Sequence, residues 1–177
     1  MKEYKKGRRV DKDGTIEEGH FKDEHLIKGK KKYTDGQIEE GEFNKDGLLI
    51  KGKTKYSCGQ IEEGEFNKDG TLIKGKIKYT NVQIQEGEFN NDGTLIKGKV
   101  TYPDGQIDEG VFDNENLIKG KITYSCGQIE EGVFDNENLI KGKVTYTTGL
   151  IEEGYYDKNG NMTKGKITCN GQIEYIN

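Results

Sequence analysis

Five Glu-Glu pairs are the residues of this chain best suited by type to chemistry: Glu17-Glu18, Glu39-Glu40, Glu62-Glu63, Glu130-Glu131 and Glu152-Glu153. Two carboxylates that share a substrate can act as general acid and base. Adjacent residues of a strand, however, point to opposite faces, so the members of such a pair cannot meet at one substrate. Asn67-Lys68-Asp69-Gly70 and Asp157-Lys158-Asn159-Gly160 resemble the start of a calcium loop. They lack the remaining oxygen ligands and the closing Glu, and read better as ordinary turns. His20 and His25 are the two histidines. Without a nearby Cys they are too few to hold a metal. No Gly-rich phosphate loop precedes a helix, and no nucleophile-base arrangement stands out. The sequence therefore predicts a chain that is not an enzyme, with no catalytic, cofactor-binding or metal residues.

The Glu pairs recur because the whole chain repeats. Gly-Gln-Ile-Glu-Glu-Gly-(Glu/Val)-Phe, an Asn/Asp turn, and Leu-Ile-Lys-Gly-Lys-x-x-Tyr return every 22 or 23 residues, marked by Gly14, Gly36, Gly59, Val82, Gly105, Gly127, Gly149 and Gly171. A fixed period of this length is the signature of a repeat array. Chemistry needs dissimilar groups converging on one point, whereas an array offers the same groups in rows, so the period favours a binding surface. The organisation read from it is a cap or partial repeat over residues 1–13, seven hairpin repeats over 14–170, and a half repeat over 171–177. The one-residue length difference falls in the turn after Phe. Asn44 to Gly47 is four residues of Asn-Lys-Asp-Gly, while Asp113 to Asn116 and Asp135 to Asn138 are one residue shorter in their repeats.

Composition supports the array. Only 30% of the 177 residues are hydrophobic, 34% are charged and there is no Trp. Such values alone point to disorder, but stacked units can share one thin core. The net charge is -4, from 28 basic and 32 acidic residues interleaved along the chain. That mixture leaves no basic patch for nucleic acid or anionic lipid, and direct DNA binding is not expected. Lys5, Lys6, Arg8 and Arg9 read as a solubilising end. Cys58, Cys126 and Cys169 are an odd count without paired spacing, which suits a reducing cytoplasm. No apolar run reaches transmembrane length and no secretory leader is visible. The wealth of Lys, Asn, Ile and Tyr matches AT-rich coding, as in a low-GC bacterium or its phage.

Each repeat divides into two strands, since the apolar period is two and Gly recurs inside the elements. In the second repeat, strand A is expected over Gln37 to Asn44 and strand B over Leu49 to Tyr56. Alternation places Gly41, Phe43, Ile50, Gly52, Thr54 and Tyr56 on one face and Ile38, Glu40, Glu42, Lys51, Lys53 and Lys55 on the other. Pairing Gly41 with Gly52 sets Glu40 against Lys53, Glu42 against Lys51 and Phe43 against Ile50. Facing opposite charges contribute roughly 0.2–1 kcal/mol each and fix the register. Gly inside a strand marks close approach of another group. The expected occupants are the rings of an aromatic stripe, Phe21, Phe43, Phe66, Phe89, Phe112, Phe134 and Tyr156, with Tyr33, Tyr56, Tyr79, Tyr102, Tyr124 and Tyr146 beside it.

One flank of such a stripe stays open, and exposed contiguous aromatics mark interaction surfaces. The candidate partner-binding residues are therefore Phe43, Phe66, Phe89, Phe112, Phe134, Tyr79, Tyr102, Tyr124, Tyr155 and Tyr156. To these the acidic columns add Glu40, Glu63, Glu86 and Glu131 as groups able to engage a basic channel. Positions that break the repeat, namely Val82, Gln85, Pro103, Tyr155 and His25, are the first to examine for specificity.

Tyr102-Pro103-Asp104-Gly105-Gln106-Ile107-Asp108-Glu109-Gly110-Val111-Phe112 is the stretch that most resembles the MORN repeat, whose period is also about 23 residues. The likeness runs from about Gly14 to Ile173. It departs where the family's first Tyr is Glu39, Glu62, Asp108 or Glu130, and one usual Gly is Lys or Ile. It is nearer the degenerate bacterial variant, some of whose members are antitoxin-like. The resemblance implies an all-β fold, an elongated single-layer antiparallel β-meander of stacked hairpins, and an adaptor without cofactor. The function expected first is a protein-binding scaffold that blocks a partner: an antitoxin, an immunity protein, or a phage-borne inhibitor of a nuclease such as an RNA-guided effector. The alternatives are a membrane or phosphoinositide adaptor, and a structural protein assembling as a homodimer or polymer through an exposed edge strand.

Overall fold

A computed structural model describes residues 4–177; the first three residues of the expected cap, Met1 to Glu3, lie outside them. The described residues contain sixteen strands and no helix, so the all-β meander is borne out. The chain forms two compact units, one ending at Gly93 and one spanning Thr94–Asn177. The first holds β1 (Lys5–Val10), β2 (Ile16–Lys22), β3 (His25–Lys32), β4 (Ile38–Phe43), β5 (Leu49–Lys55), β6 (Ile61–Phe66), β7 (Leu72–Lys78) and β8 (Ile84–Phe89). The second holds β9 (Leu95–Thr101), β10 (Ile107–Asp113), β11 (Asn116–Thr123), β12 (Ile129–Asp135), β13 (Asn138–Thr145), β14 (Ile151–Tyr156), β15 (Met162–Cys169) and β16 (Gln172–Ile176). Within each unit every strand pairs antiparallel with the next in the chain.

The register follows the glycines. Gly41 sits opposite Gly52, Gly64 opposite Gly75, Gly110 opposite Gly120, and Gly132 opposite Gly142. Glu40 accordingly faces Lys53 and Glu42 faces Lys51, as expected. The space around these glycines is filled differently from expectation. A Cβ on Gly41 would run into the Lys51 carbonyl oxygen and lie 2.7 Å from the Gly52 Cα. The occupant is the backbone of the neighbouring strand, not an aromatic ring. The glycine φ values of +149 to +155 at Gly41, Gly52 and Gly64 bring the paired strands this close in a conformation that side chains oppose.

A second difference lies two residues further along. Phe43 pairs with Leu49, not Ile50, because a bulge shifts the register between Glu42 and Phe43. The same shift brings Phe66 to Leu72, Phe112 to Leu117, and Phe134 to Leu139. The bulge adds one residue to the second strand, which turns Leu49 inward and leaves Ile50 exposed beside Lys51. The core is thus a row of Phe and Leu, continued by Tyr156, plus Thr54, Ile77, Val100, Ile122 and Val144, all buried.

Turn chemistry explains the two loop lengths. In the longer loop Asn44 Oδ1 accepts the backbone N–H groups of Asp46 and Leu48, and Gly47 N–H donates to the Asn44 carbonyl. The shorter loops place two residues at positive φ, Asn114 and Glu115 at 46° and 69°, and Asn136 and Glu137 at 46° and 66°. Two consecutive left-handed residues make the tight turn that matches strand twist. Among the described residues no helix is long and apolar enough to cross a membrane.

Candidate functional site

The proposed site residues divide among three places. Phe43, Phe66, Phe89, Phe112, Phe134 and Tyr156 are 3–8% exposed. They are core, packed under their own hairpins, and offer no surface to a partner; this corrects the reading of an open aromatic stripe. Glu40, Glu63, Glu86 and Glu131 stand on the outer face in pairs with Lys30, Lys53, Lys76 and Lys143 at 3.7–4.0 Å. These exposed pairs fit the register role, each contributing about 0–1 kcal/mol.

Tyr79, Tyr102 and Tyr124 lie half-buried on the inner face, where a polar row repeats. Tyr33 Oη donates to Glu39 at 2.8 Å, and Gln37 Nε2 donates to the other carboxylate oxygen at 3.1 Å. Tyr56 and Gln60 hold Glu62 in the same way, at 3.1 and 2.9 Å. Tyr79 donates to Gln85 at 3.0 Å, so the repeat-breaking Gln85 keeps the acceptor while losing the charge. Burial first, and the facing carboxylates after it, push the hydroxyls of Tyr33, Tyr56, Tyr102 and Tyr124 well above the ordinary tyrosine value. Each hydroxyl therefore stays protonated and donates. In every Glu-Glu pair the first carboxylate faces this row and the second faces solvent outside, so no pair shares a substrate.

In the second unit the inner face opens into a groove of about 500 Å³, lined by Tyr102, Asp104, Asp108, Glu115, Tyr124 and Glu137 among others. Asp108 is held by Gln106 Nε2 at 2.9 Å. Burial raises its pKa despite that hydrogen bond and one from Tyr102.

At the near end of the first unit the inner row is closed by a buried ionic cluster. Glu17 is 4% exposed and meets Lys31 at 3.1 Å and Arg9 at 2.6 Å. Lys31 also donates to the Gly47 carbonyl at 2.7 Å and lies 5.0 Å from the Phe43 ring centre. Arg9 is further engaged with Asp11 and the Glu24 carbonyl. Of the basic residues of the N-terminal strand, Arg9 is in this way committed to intramolecular contacts, while the strand as a whole is exposed. His20 and His25, on β2 and β3, are both exposed.

The outer face of the second unit carries an apolar row of which the sequence points to Tyr155 alone. In the first unit the residue before the core aromatic is His20, Glu42, Glu65 or Glu88; in the second it is Val111, Val133 or Tyr155. These three are 38%, 38% and 47% exposed. The bulge residues Ile118 and Ile140 are 40% and 38% exposed. The register interleaves this row with lysines: Lys119 faces Val111 on one side and Val133 on the other, and Lys141 faces Val133 and Tyr155. Lys141 Nζ lies 5.1 Å from the Tyr155 ring centre. The signal was present in the sequence as Gly-Glu-Phe giving way to Gly-Val-Phe. Without the bulge, Ile118 and Ile140 could not be assigned to the same face.

No family model matches the chain, and no curated protein matches it. Among solved structures, it is similar to the TCP domain of SAS-4 (dCPAP) of Drosophila melanogaster, solved in complex with a proline-rich motif of Ana2 (dSTIL). The TM-score is 0.49 at 18% sequence identity, over 97% of this chain and 90% of that one. A likeness so distant says nothing of what this chain binds.

Proposed function

We propose that the chain is a non-enzymatic, MORN-like repeat scaffold that binds a partner protein through the outer face of its second unit. One observation carries this. The core is already filled by buried Phe and Leu, yet Val111, Val133 and Tyr155 form an exposed apolar row where the first unit has glutamates. An apolar row that the fold does not use, bordered by charge, is the anatomy of an interaction surface. The finer reading is a blocker of the antitoxin or immunity type, acting in the cytoplasm on a toxin or nuclease, including an RNA-guided one. Its support is the resemblance described above. The test is a pull-down with the tagged full chain, followed by mass spectrometry. Wild type is expected to retain one stoichiometric protein, and Tyr155→Glu to lose it. Retention that is unchanged in Tyr155→Glu and in Val133→Glu refutes this face as the binding site.

A second reading, self-assembly, draws on β16, where Ile173 and Tyr175 are 55% and 70% exposed. Light scattering across a concentration series separates the two. A mass that stays monomeric removes self-assembly.

A further inference from the structure

The repeat itself specifies what the lysines of the outer row take as partners. In the first unit Lys28 meets Glu42 at 3.4 Å and Lys51 meets Glu65 at 3.5 Å across adjacent strands. In the second unit the register keeps the lysines and removes the glutamates. Lys119 lies between Val111 and Val133, Lys141 between Val133 and Tyr155, and Lys164 opposite Tyr155. Among the described residues the ion pairs of this unit are Lys143–Glu131 and Lys166–Glu153, both in the neighbouring row. Lys119, Lys141 and Lys164 are exposed, and among the described residues neither ion pair of this unit involves them.

We propose that this row docks an extended acidic segment of a partner protein, lying across the strands with a carboxylate at about every third residue and apolar side chains between. The inference rests on the scaffold reading above and names the chemistry of its partner. The spacing follows from geometry. Lysines on alternate strands stand about 9.5 Å apart, and a segment in the polyproline-II conformation, with three residues per turn at about 3.1 Å each, returns a side chain to the same face after that span. Val111, Val133 and Tyr155 lie between the lysines and receive the intervening apolar groups. A depression of about 480 Å³, lined by Tyr155, Lys141, Lys164 and Tyr175, gives the segment a place for one large anchor. A nucleic-acid backbone would satisfy the lysines but bring nothing apolar to cover Val111 and Val133. An acidic peptide satisfies both.

Fluorescence anisotropy on the full chain tests this with labelled twelve-residue peptides. One has Glu at every third position with Leu or Val between; a second has the same composition with the Glu clustered; a third has Lys in place of Glu. The periodic acidic peptide is expected to bind at least about tenfold more tightly than the clustered one, a gap of about 1.4 kcal/mol. Lys119→Glu/Lys141→Glu is expected to lose that binding and to gain binding of the Lys peptide, with circular dichroism confirming the folded strands. Equal binding of periodic and clustered peptides overturns the proposal. Tighter binding of a single-stranded oligonucleotide or of phosphatidylserine vesicles than of the periodic peptide overturns it as well. The two readings fail separately. A partner captured through Tyr155, with no periodic-peptide binding, sinks the acidic-segment inference and leaves the scaffold reading. A capture indifferent to Tyr155→Glu and Val133→Glu sinks the scaffold reading at this face.

Discussion

Replacing Val82 by Gly removes a side chain and is expected to stabilise the first unit. Val82 occupies the turn position held by Gly at Gly14, Gly36, Gly59, Gly105, Gly127, Gly149 and Gly171. Its φ is +65°, within the left-handed region, and its N–H still closes the turn on the Tyr79 carbonyl at 3.1 Å. The left-handed conformation costs an L-residue roughly 1–2 kcal/mol, and a β-branched one is at the upper end. Val82 is 58% exposed, so little packing offsets that strain. Glycine relieves the strain but adds freedom to the unfolded chain, which costs roughly 0.4–1 kcal/mol. The net gain is about 0.5–1 kcal/mol, or about 1–4 °C in Tm for a domain of this size. Thermal and urea unfolding followed by circular dichroism measures it. Val82→Asn, which tolerates the same φ, is expected to fall between, and the reverse swap Gly105→Val to lose about 0.5–1 kcal/mol in the second unit. A destabilised Val82→Gly would refute the argument that backbone strain outweighs side-chain contacts in these turns.

Three further outcomes follow from the inner face and the strand centres. Gly64→Ala sets a Cβ 2.7 Å from the Gly75 Cα at a φ of +154°, and is expected to cost about 3 kcal/mol or more, read as a lower urea midpoint. Lys31→Met strands the buried Glu17 carboxylate with Arg9 as its one remaining ion-pair partner and is expected to cost about 3 kcal/mol. Adding Glu17→Gln restores most of the loss, measured by a double-mutant cycle. Asp108 has its pKa raised above 3.8 by burial, so the folded state holds its proton more tightly than the unfolded one. Its stabilising contribution is therefore present at low pH and lost as pH rises through the folded value. Asp108→Asn is expected to raise Tm at pH 7, and the advantage to shrink as pH falls toward 3.8; an advantage independent of pH would contradict this.

Much of this architecture is written in the repeat. The facing glycines and the matching Glu and Lys columns fix one register, and Gly41 opposite Gly52 with Glu40 opposite Lys53 follows from them alone. The bulge does not follow. Leu49 and Ile50 are both apolar, so alternation cannot say which of the two turns inward, and hairpin length is compatible with either. That ambiguity is why alternation sets Phe43 against Ile50 and leaves Ile118 and Ile140 off the outer apolar row. The glycine pairs were misread for a related reason. Composition shows that a side chain is missing but not whether a ring or a backbone fills the space. Periodicity also hides burial. Phe at every repeat reads equally as an exposed stripe or as a core, and the added inward Leu of each bulge decides for the core.

The two faces differ in how far they can change without unfolding the array, and this bears on where binding specificity resides. On the inner side each repeat depends on a Gly pair in backbone contact and on a Phe–Leu pair in the core, where single changes cost several kcal/mol. On the outer side the ladder pairs, such as Lys28–Glu42 and Lys51–Glu65, are exposed and contribute about 0–1 kcal/mol each. Exchanging Glu for Val or Tyr there loses little stability and changes the surface completely. The second unit has made that exchange at Val111, Val133 and Tyr155 while keeping every inner Gly, Phe or Tyr and Leu or Met of its hairpins. Three coordinated departures in one row, against an inner pattern held constant, are what a fold would carry if its inside specified structure and its outside specified the partner. On this logic Val111→Glu/Val133→Glu is expected to leave unfolding within about 1 kcal/mol of wild type, since it restores the first unit's ladder against Lys119 and Lys141. Its partner binding is expected to disappear. A variant that lost stability and binding together would show the apolar row to be part of the fold.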